Sequence, residues 1–495
     1  MMRLVDCEYK WGESATRLNS ISKNIEAIFD ESKADGIVIM IIWLISLFTR
    51  CYMIKNPSFV CFDETFFGNF TNYYIHKKYF IDIHPPLGKL ILFWGSRIVG
   101  YDGSIEFGVT GNGLTNSIYI SLRLIPAVFA SLCPPLLYAF SRTFGFSITA
   151  SITSSLSMCM EALMIIEGKF LLTDSILHFF VCLSMYSMSL FFRESTNQRK
   201  GWMQFGFICL SISLASSTKQ TAWGLIPIAM YVIIMSSLIN LDDHMLTSFL
   251  FGIIIKIIIL LLSVCIVYFG AFVVHIHHLT EISDESVHIC PGISKNQKNR
   301  TEEWEKCKSQ NIISKIYSLM KHMHYCNMNS ISYKSFSTKW WEWPFMRGEL
   351  ITYFFKGENR TYLVHNICNT LSGFLSMFSF LLSLVFSLYK KSPKSYRNSI
   401  VSSILAFGFL VSWLPFYFIP RSTYLYHYCI PLVFVIAFNS YLIDTLNEYS
   451  KALSIIVSLA ILSSSIAFYI VYMPWIYAKP SNNHEMLMKL INKKL

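Results

Sequence analysis

The sequence predicts an all-α polytopic membrane protein with about eleven transmembrane helices and two large loops on one face. Three observations predict it. Of the 495 residues 53% are hydrophobic and only 14% charged, against roughly 25% charged in an average soluble domain. Apolar runs of membrane-spanning length recur along most of the chain, and mean hydropathy is +0.45. Basic residues gather in the turns that follow alternate runs.

In order, residues 1–36 form a polar N-terminal segment with five Lys/Arg, expected in the cytoplasm. The first apolar run, near Gly36–Tyr52, has no small-residue cleavage site after it, so it reads as a retained span rather than a signal peptide. Spans are expected near 37–54, 118–140, 146–165, 170–191, 202–217, 221–240, 249–273, 363–388, 399–418, 428–446 and 452–473. They group as a membrane domain at 37–274, which contains a first loop at 55–117, and a second membrane domain at 362–473. Between these lies a second loop at 275–361, and a tail follows at 474–495. The densest basic turns, Arg193–Lys200 and Lys390–Arg397, follow spans 4 and 8. The positive-inside rule puts both with the N-terminus, so both loops and the tail face a lumen. Three Asn-X-Thr sequons, at Asn69, Asn299 and Asn359, fall in those loops.

The net charge of +11 is explained by cations flanking spans, and no basic stripe suited to nucleic acid is present. Most cysteines sit inside apolar runs as small hydrophobes. Cys290, Cys307 and Cys326 share the second loop, where a Cys290–Cys307 disulfide is one pairing left open. His275, His277 and His278 end a span without acidic partners, so no metal is expected. Phe66, Phe67, Phe70, Tyr73 and Tyr74 recur at helical spacing in the first loop, as in a helix lying on the membrane. A second such helix opens at Pro85-Pro86, with Lys89 and Arg97 reaching headgroups. The amphipathic stretch Ile312–Met323 is expected to lie on the membrane as well.

Asp63-Glu64 stands just beyond the first span, followed by His84-Pro-Pro-Leu-Gly-Lys89 and Tyr101-Asp102-Gly103. With Arg123-Leu-Ile-Pro126, Leu171-Leu-Thr-Asp174, Lys219 with Trp223-Gly224, Trp341-Glu-Trp-Pro344 with Arg347-Gly348, and Arg421 with His427-Tyr428-Cys-Ile-Pro431, these segments resemble in order the motifs of eukaryotic protein O-mannosyltransferases. The resemblance implies a GT-C glycosyltransferase fold with its pocket on the luminal side of the endoplasmic reticulum membrane. It also implies transfer of mannose from dolichyl phosphate mannose to Ser or Thr of acceptor proteins, with inversion, by a homo- or heterodimer and without a cofactor. The second loop is too short for the family's luminal β-trefoil MIR domain, so this is a short form. Lys169 stands where the family usually has Arg, which keeps the charge and loses the fork.

A Ser or Thr hydroxyl needs a carboxylate to take its proton, and Asp63 is the candidate general base. Glu64 is the second catalytic candidate, orienting the acceptor or holding the Asp63 loop. The leaving phosphate is already a stable anion and needs cations rather than an acid. Arg123, Lys219 and Arg421 sit at expected luminal span ends and are the candidates, with His84, Lys89, His427 and Trp343 completing the substrate-binding set. Asp174 is expected to pair with Lys169. The alternatives are a related polyprenyl-phosphate sugar transferase, a non-catalytic partner subunit and, from another class, a transporter.

Overall fold

Backbone amides in hydrocarbon must bond within their own segment, so the apolar runs fold as helices. The computed structural model describes residues 35–194, 198–239, 246–284, 286, 300–329, 337–346, 352–356, 359–389 and 393–479. Every expected span coincides with helix. Helix α1 (Asp35–Cys51) is followed by the first loop with α2 (Glu64–Ile75) and α3 (Leu87–Ile98). Then come α4 (Ile118–Thr143), α5 (Ile148–Cys159), α6 (Ala162–Lys169), α7 (Asp174–Arg193), α8 (Gln198–Thr218), α9 (Leu225–Ile239) and α10 (Leu246–His278). The second loop holds α11 (Arg300–Lys308), α12 (Ile312–Asn329) and a hairpin of β1 (Thr352–Lys356) and β2 (Asn359–Tyr362), paired antiparallel with Phe355 opposite Arg360. Helices α13 (Ile367–Tyr389), α14 (Pro393–Trp413), α15 (Cys429–Tyr449) and α16 (Lys451–Ile476) complete the chain. The hairpin is an addition to the all-helical expectation.

Burial sorts the spans. The span carrying α15 is 83% buried and forms the axis of the bundle, touching α5, α13, α14 and α16, whereas α10 is 11% buried and turns its Ile, Leu and Phe side chains outward. The third span is bent by 51° between α5 and α6. Bending orphans the last carbonyls of α5. Arg50 at the end of α1 answers them, its guanidinium donating to Met158 O at 3.1 Å and Cys159 O at 3.0 Å.

The first loop is packed more deeply than a helix merely resting on lipid. In α2, Phe67, Phe70 and Tyr74 are buried while Phe66 and Tyr73 are exposed. Phe70 stacks on Phe80 at 4.6 Å. In α3 the expected headgroup contact of Lys89 is corrected: the ammonium is 3% exposed, 2.5 Å from Asp82, and donates to His84 O and Pro85 O at 2.9 and 3.0 Å. A buried ammonium needs all three donors satisfied, and the turn entering α3 supplies the acceptors.

In the second loop Cys307 is disulfide-bonded and Cys326 keeps its thiol, 3.2 Å from His322 Nε2. Cys290, Asn299 and Arg347-Gly348 lie outside the described residues. Asn69 is on α2 with its amide turned to Phe107 O at 3.5 Å, and Asn359 is on β2. His275 and His278 close on Tyr74, through its hydroxyl at 2.7 Å and its carbonyl at 2.8 Å.

Candidate active site

The acidic pair divides into two residues with different surroundings. Glu64 is 1% exposed, and its two oxygens take four donors. Oε1 accepts from Arg123 Nε at 2.8 Å and Leu171 N at 2.9 Å; Oε2 accepts from an Arg123 terminal nitrogen at 2.7 Å and Cys61 N at 2.9 Å. Arg123 spends its remaining donors on Ile54 O, Pro57 O and Phe59 O. The fork-to-fork pair therefore stitches the loop at 54–64 to α4 and to the segment entering α7. This corrects two expectations. Arg123 has no donor left for a phosphate in this arrangement, and Glu64 has no lone pair turned to a substrate; of its two expected roles, it holds the loop.

Asp63, beside this clamp, is only partly buried. It stands at the N-cap of α2 and makes no side-chain cap bond. Phe62 before it has φ +41, a left-handed conformation that a phenylalanine adopts only when its surroundings enforce it. That turn presses the Phe62 ring edge-on against Tyr424 and Tyr426, at 6.3 and 6.2 Å between centroids. Burial first, then the Asp63 carboxylate, pushes the Tyr424 hydroxyl up, while Arg421 opposes them. Asp63 and Arg421 thus act on one phenol with opposite sign.

Three other candidates meet in a small, partly open chamber lined by His84, Asp174, His178, Lys219, Thr221, Tyr426 and His427. Lys219, at the end of α8, bonds both Asp174 oxygens at 2.7 Å and lies over the Tyr426 ring at 5.5 Å. Asp174 therefore pairs with Lys219, not with the expected Lys169, which instead donates to Ile476 O at 3.0 Å. His84 is 3.3 Å from Gln220 Oε1 through Nδ1. Burial, then the Lys219 cation, holds its imidazole down at about 3, so it is neutral at pH 7. His427 stacks on Tyr426 at 4.3 Å.

Arg421 lies outside the chamber, in an open cleft walled by Trp340, Trp341, Phe416 and Tyr417 with Thr338 and Lys339 at its side. Trp343 lines neither space. It is wholly buried, donates to Thr338 Oγ1 at 2.9 Å and stacks parallel to His427 at 6.1 Å. The expected set is therefore split: His84, Lys219 and His427 converge, Asp63 and Arg421 share the Tyr424 wall, and Glu64, Arg123, Lys89 and Trp343 build the frame. Asp82, His178, Tyr424 and Tyr426 were not singled out from sequence. His178 follows Asp174 by four residues, which puts both on one helix face and was a readable signal. The Tyr pair was hidden among ordinary interface aromatics.

A helical membrane bundle with a strained acidic turn facing a cation-bearing aromatic wall defines a polytopic membrane protein with an enzyme-like site. Residues 40–280 match the dolichyl-phosphate-mannose-protein mannosyltransferase family, and residues 312–493 match the C-terminal four-transmembrane region of protein O-mannosyltransferases. The chain belongs to this family. It is 30% identical over 228 residues to dolichyl-phosphate-mannose–protein mannosyltransferase 4 of Candida albicans, covering 42% of this chain and 30% of that protein. It is 35% identical over 202 residues to mannosyltransferase 3 of Saccharomyces cerevisiae, covering 40% and 26%. With protein O-mannosyl-transferase 1 of Danio rerio it shares 28% over 249 residues, 49% and 34% of the two chains. The matched stretches thus span about a third or less of these relatives. The fold superposes on the S. cerevisiae Pmt1–Pmt2 complex bound to the sugar donor with TM-score 0.86 at 15% identity, covering 96% of this chain and 94% of that one.

Proposed function

We propose that this chain is an inverting mannosyltransferase of the endoplasmic reticulum membrane. It takes mannose from dolichyl phosphate mannose and delivers it to Ser or Thr hydroxyls of proteins on the luminal face. The observation that carries the reading is the strained turn at Phe62-Asp63, which sets a partly exposed carboxylate against the Tyr424–Tyr426 wall, where Arg421 acts on Tyr424 and Lys219 lies over the Tyr426 ring. Asp63 takes the acceptor proton as the hydroxyl oxygen attacks the anomeric carbon, and the bond to the donor phosphate breaks on the opposite side. One base and one displacement give inversion. The phosphate leaves as an anion, stabilised by Lys219 with neutral His84 and His427 as hydrogen-bond partners, and by Arg421 from the adjoining cleft. Glu64 and Arg123 keep the base in place. The family's assembly in the yeast complex supports pairing with a related subunit. No cofactor enters this scheme.

Transfer of labelled mannose from dolichyl phosphate mannose to a Ser/Thr peptide, in microsomes carrying the full chain, tests it. Asp63→Asn keeps the shape and removes the base, so turnover falls by about two orders of magnitude or more. Near-normal turnover in a correctly inserted variant removes Asp63 from the mechanism.

A further inference from the structure

The bend in the third span leaves a carboxylate in the middle of the bundle. Glu161, between α5 and α6, is fully buried, and two of its partners come from more than 200 residues away. Oε1 accepts from the backbone N–H of Asn366 at 2.7 Å and Oε2 from Asn369 Nδ2 at 3.0 Å. Asn369 Oδ1 in turn accepts from Ser465 Oγ at 3.1 Å, which brings in α16. Next to Asn366, His365 is also fully buried, and its Nε2 lies 2.7 Å from Trp343 O. Trp343 is the ring stacked at 6.1 Å and 10° on His427, and His427 lines the chamber.

We infer that Glu161 is a positioning residue for the chamber wall: by fixing the segment 365–369 it sets the height of Trp343 and thereby the plane of His427. The inference rests on the donor-binding reading of the chamber. Two features point to positioning rather than bulk stability. A buried carboxylate is an expensive way to join helices, and an apolar pair would serve stability alone as well or better. Further, each link from Glu161 to Trp343 is a directional hydrogen bond or a direct neighbour along the chain, which fixes an orientation where packing alone would allow sliding. The network also joins the two family regions, with Glu161 in one and Asn366 and Asn369 in the other.

The test uses polarity exchange in the full chain reconstituted in liposomes. In Glu161→Gln one of the two donors, Asn366 N–H or Asn369 Nδ2, meets an amide NH2 instead of an oxygen, unless the Asn369 amide turns over and reverses its bond with Ser465. Adding Asn369→Asp restores an acceptor opposite that new amide and still leaves an oxygen for Ser465. The single variant is expected to raise the donor KM by roughly tenfold to a hundredfold, the scale seen when a remote change misplaces a site by about 1 Å. The acceptor KM stays unchanged, and the double variant recovers most of the loss. Wild-type kinetic constants in Glu161→Gln, or a lower yield of protein with unchanged constants, overturn the inference. Lys219→Ala keeps the two ideas apart. If it leaves the donor KM unaltered, the chamber reading itself fails; if it raises the KM and Glu161→Gln does not, only the positioning role falls.

Discussion

Glu64 and Arg123 are both about 1% exposed; two bonds join them, and backbone groups fill the rest of each one's hydrogen-bonding capacity. Removing one partner strands a buried charge, which typically costs 3–5 kcal/mol, whereas removing both costs far less. Glu64→Ala is therefore expected to lose about 3 kcal/mol of stability or more, and Glu64→Ala with Arg123→Met to recover a large part. Thermal unfolding in detergent read as a double-mutant cycle checks this; additive losses would mean that the clamp is not the dominant contact. The importance of both residues was legible because an arginine inside an apolar run is costly. Their roles were not. Arg123 meets Glu64 across 59 residues, and no spacing rule connects them, so a cation near an acidic loop was naturally assigned to phosphate. Lys89 misled in the same way: its partner Asp82 lies seven residues back, in a turn whose shape the sequence does not disclose.

At the scale of elements, hydropathy placed helix at every expected run, because membrane thickness dictates helix length independently of tertiary detail; among the described residues seven of these helices, or eight with the bent pair, are long and apolar enough to span. The bend of the third span and the depth of α2 and α3 were not legible, since both depend on which neighbours supply hydrogen bonds and cover. Gly168 in α6 shows how close that cover is. A Cβ there would sit 2.6 Å from the Cβ of Ala130 in α4, well inside contact distance, and Arg50 passes on the same side at 3.6 Å. The helix carrying Lys169 can lie this near α4 only because position 168 lacks a side chain. Gly168→Ala is expected to cost about 1–3 kcal/mol through overpacking. Ala130→Gly in the same chain should return most of it, because the colliding pair is then exchanged rather than enlarged. Melting temperatures of wild type and the two variants decide the matter, and a Gly168→Ala protein as stable as wild type would show that the two helices separate freely.

For the molecule as a whole, the chemistry needs one arrangement across the bilayer. The base, the aromatic wall and the second loop must share a compartment, and the basic turns must lie in the other. The eleven spans expected from hydropathy have the parity this requires; among the described residues seven helices, or eight with the bent pair, are long and apolar enough to cross a membrane, and a disulfide at Cys307 fits an oxidising compartment. Two exposed positions report on the two faces: Glu305 on α11 in the second loop, and Lys451 at the turn between α15 and α16. In sealed microsomes a bulky thiol reagent is expected to add one further label to Lys451→Cys without treatment, relative to the native cysteines. Glu305→Cys is expected to gain its label only after detergent opens the membrane. The positive-inside argument rests on modest charge differences, because lysines also occur in the first loop, so the labelling is a real discrimination rather than a formality. The reverse pattern would place Asp63 in the cytosol, away from any luminal acceptor, and would remove the proposed reaction along with the orientation.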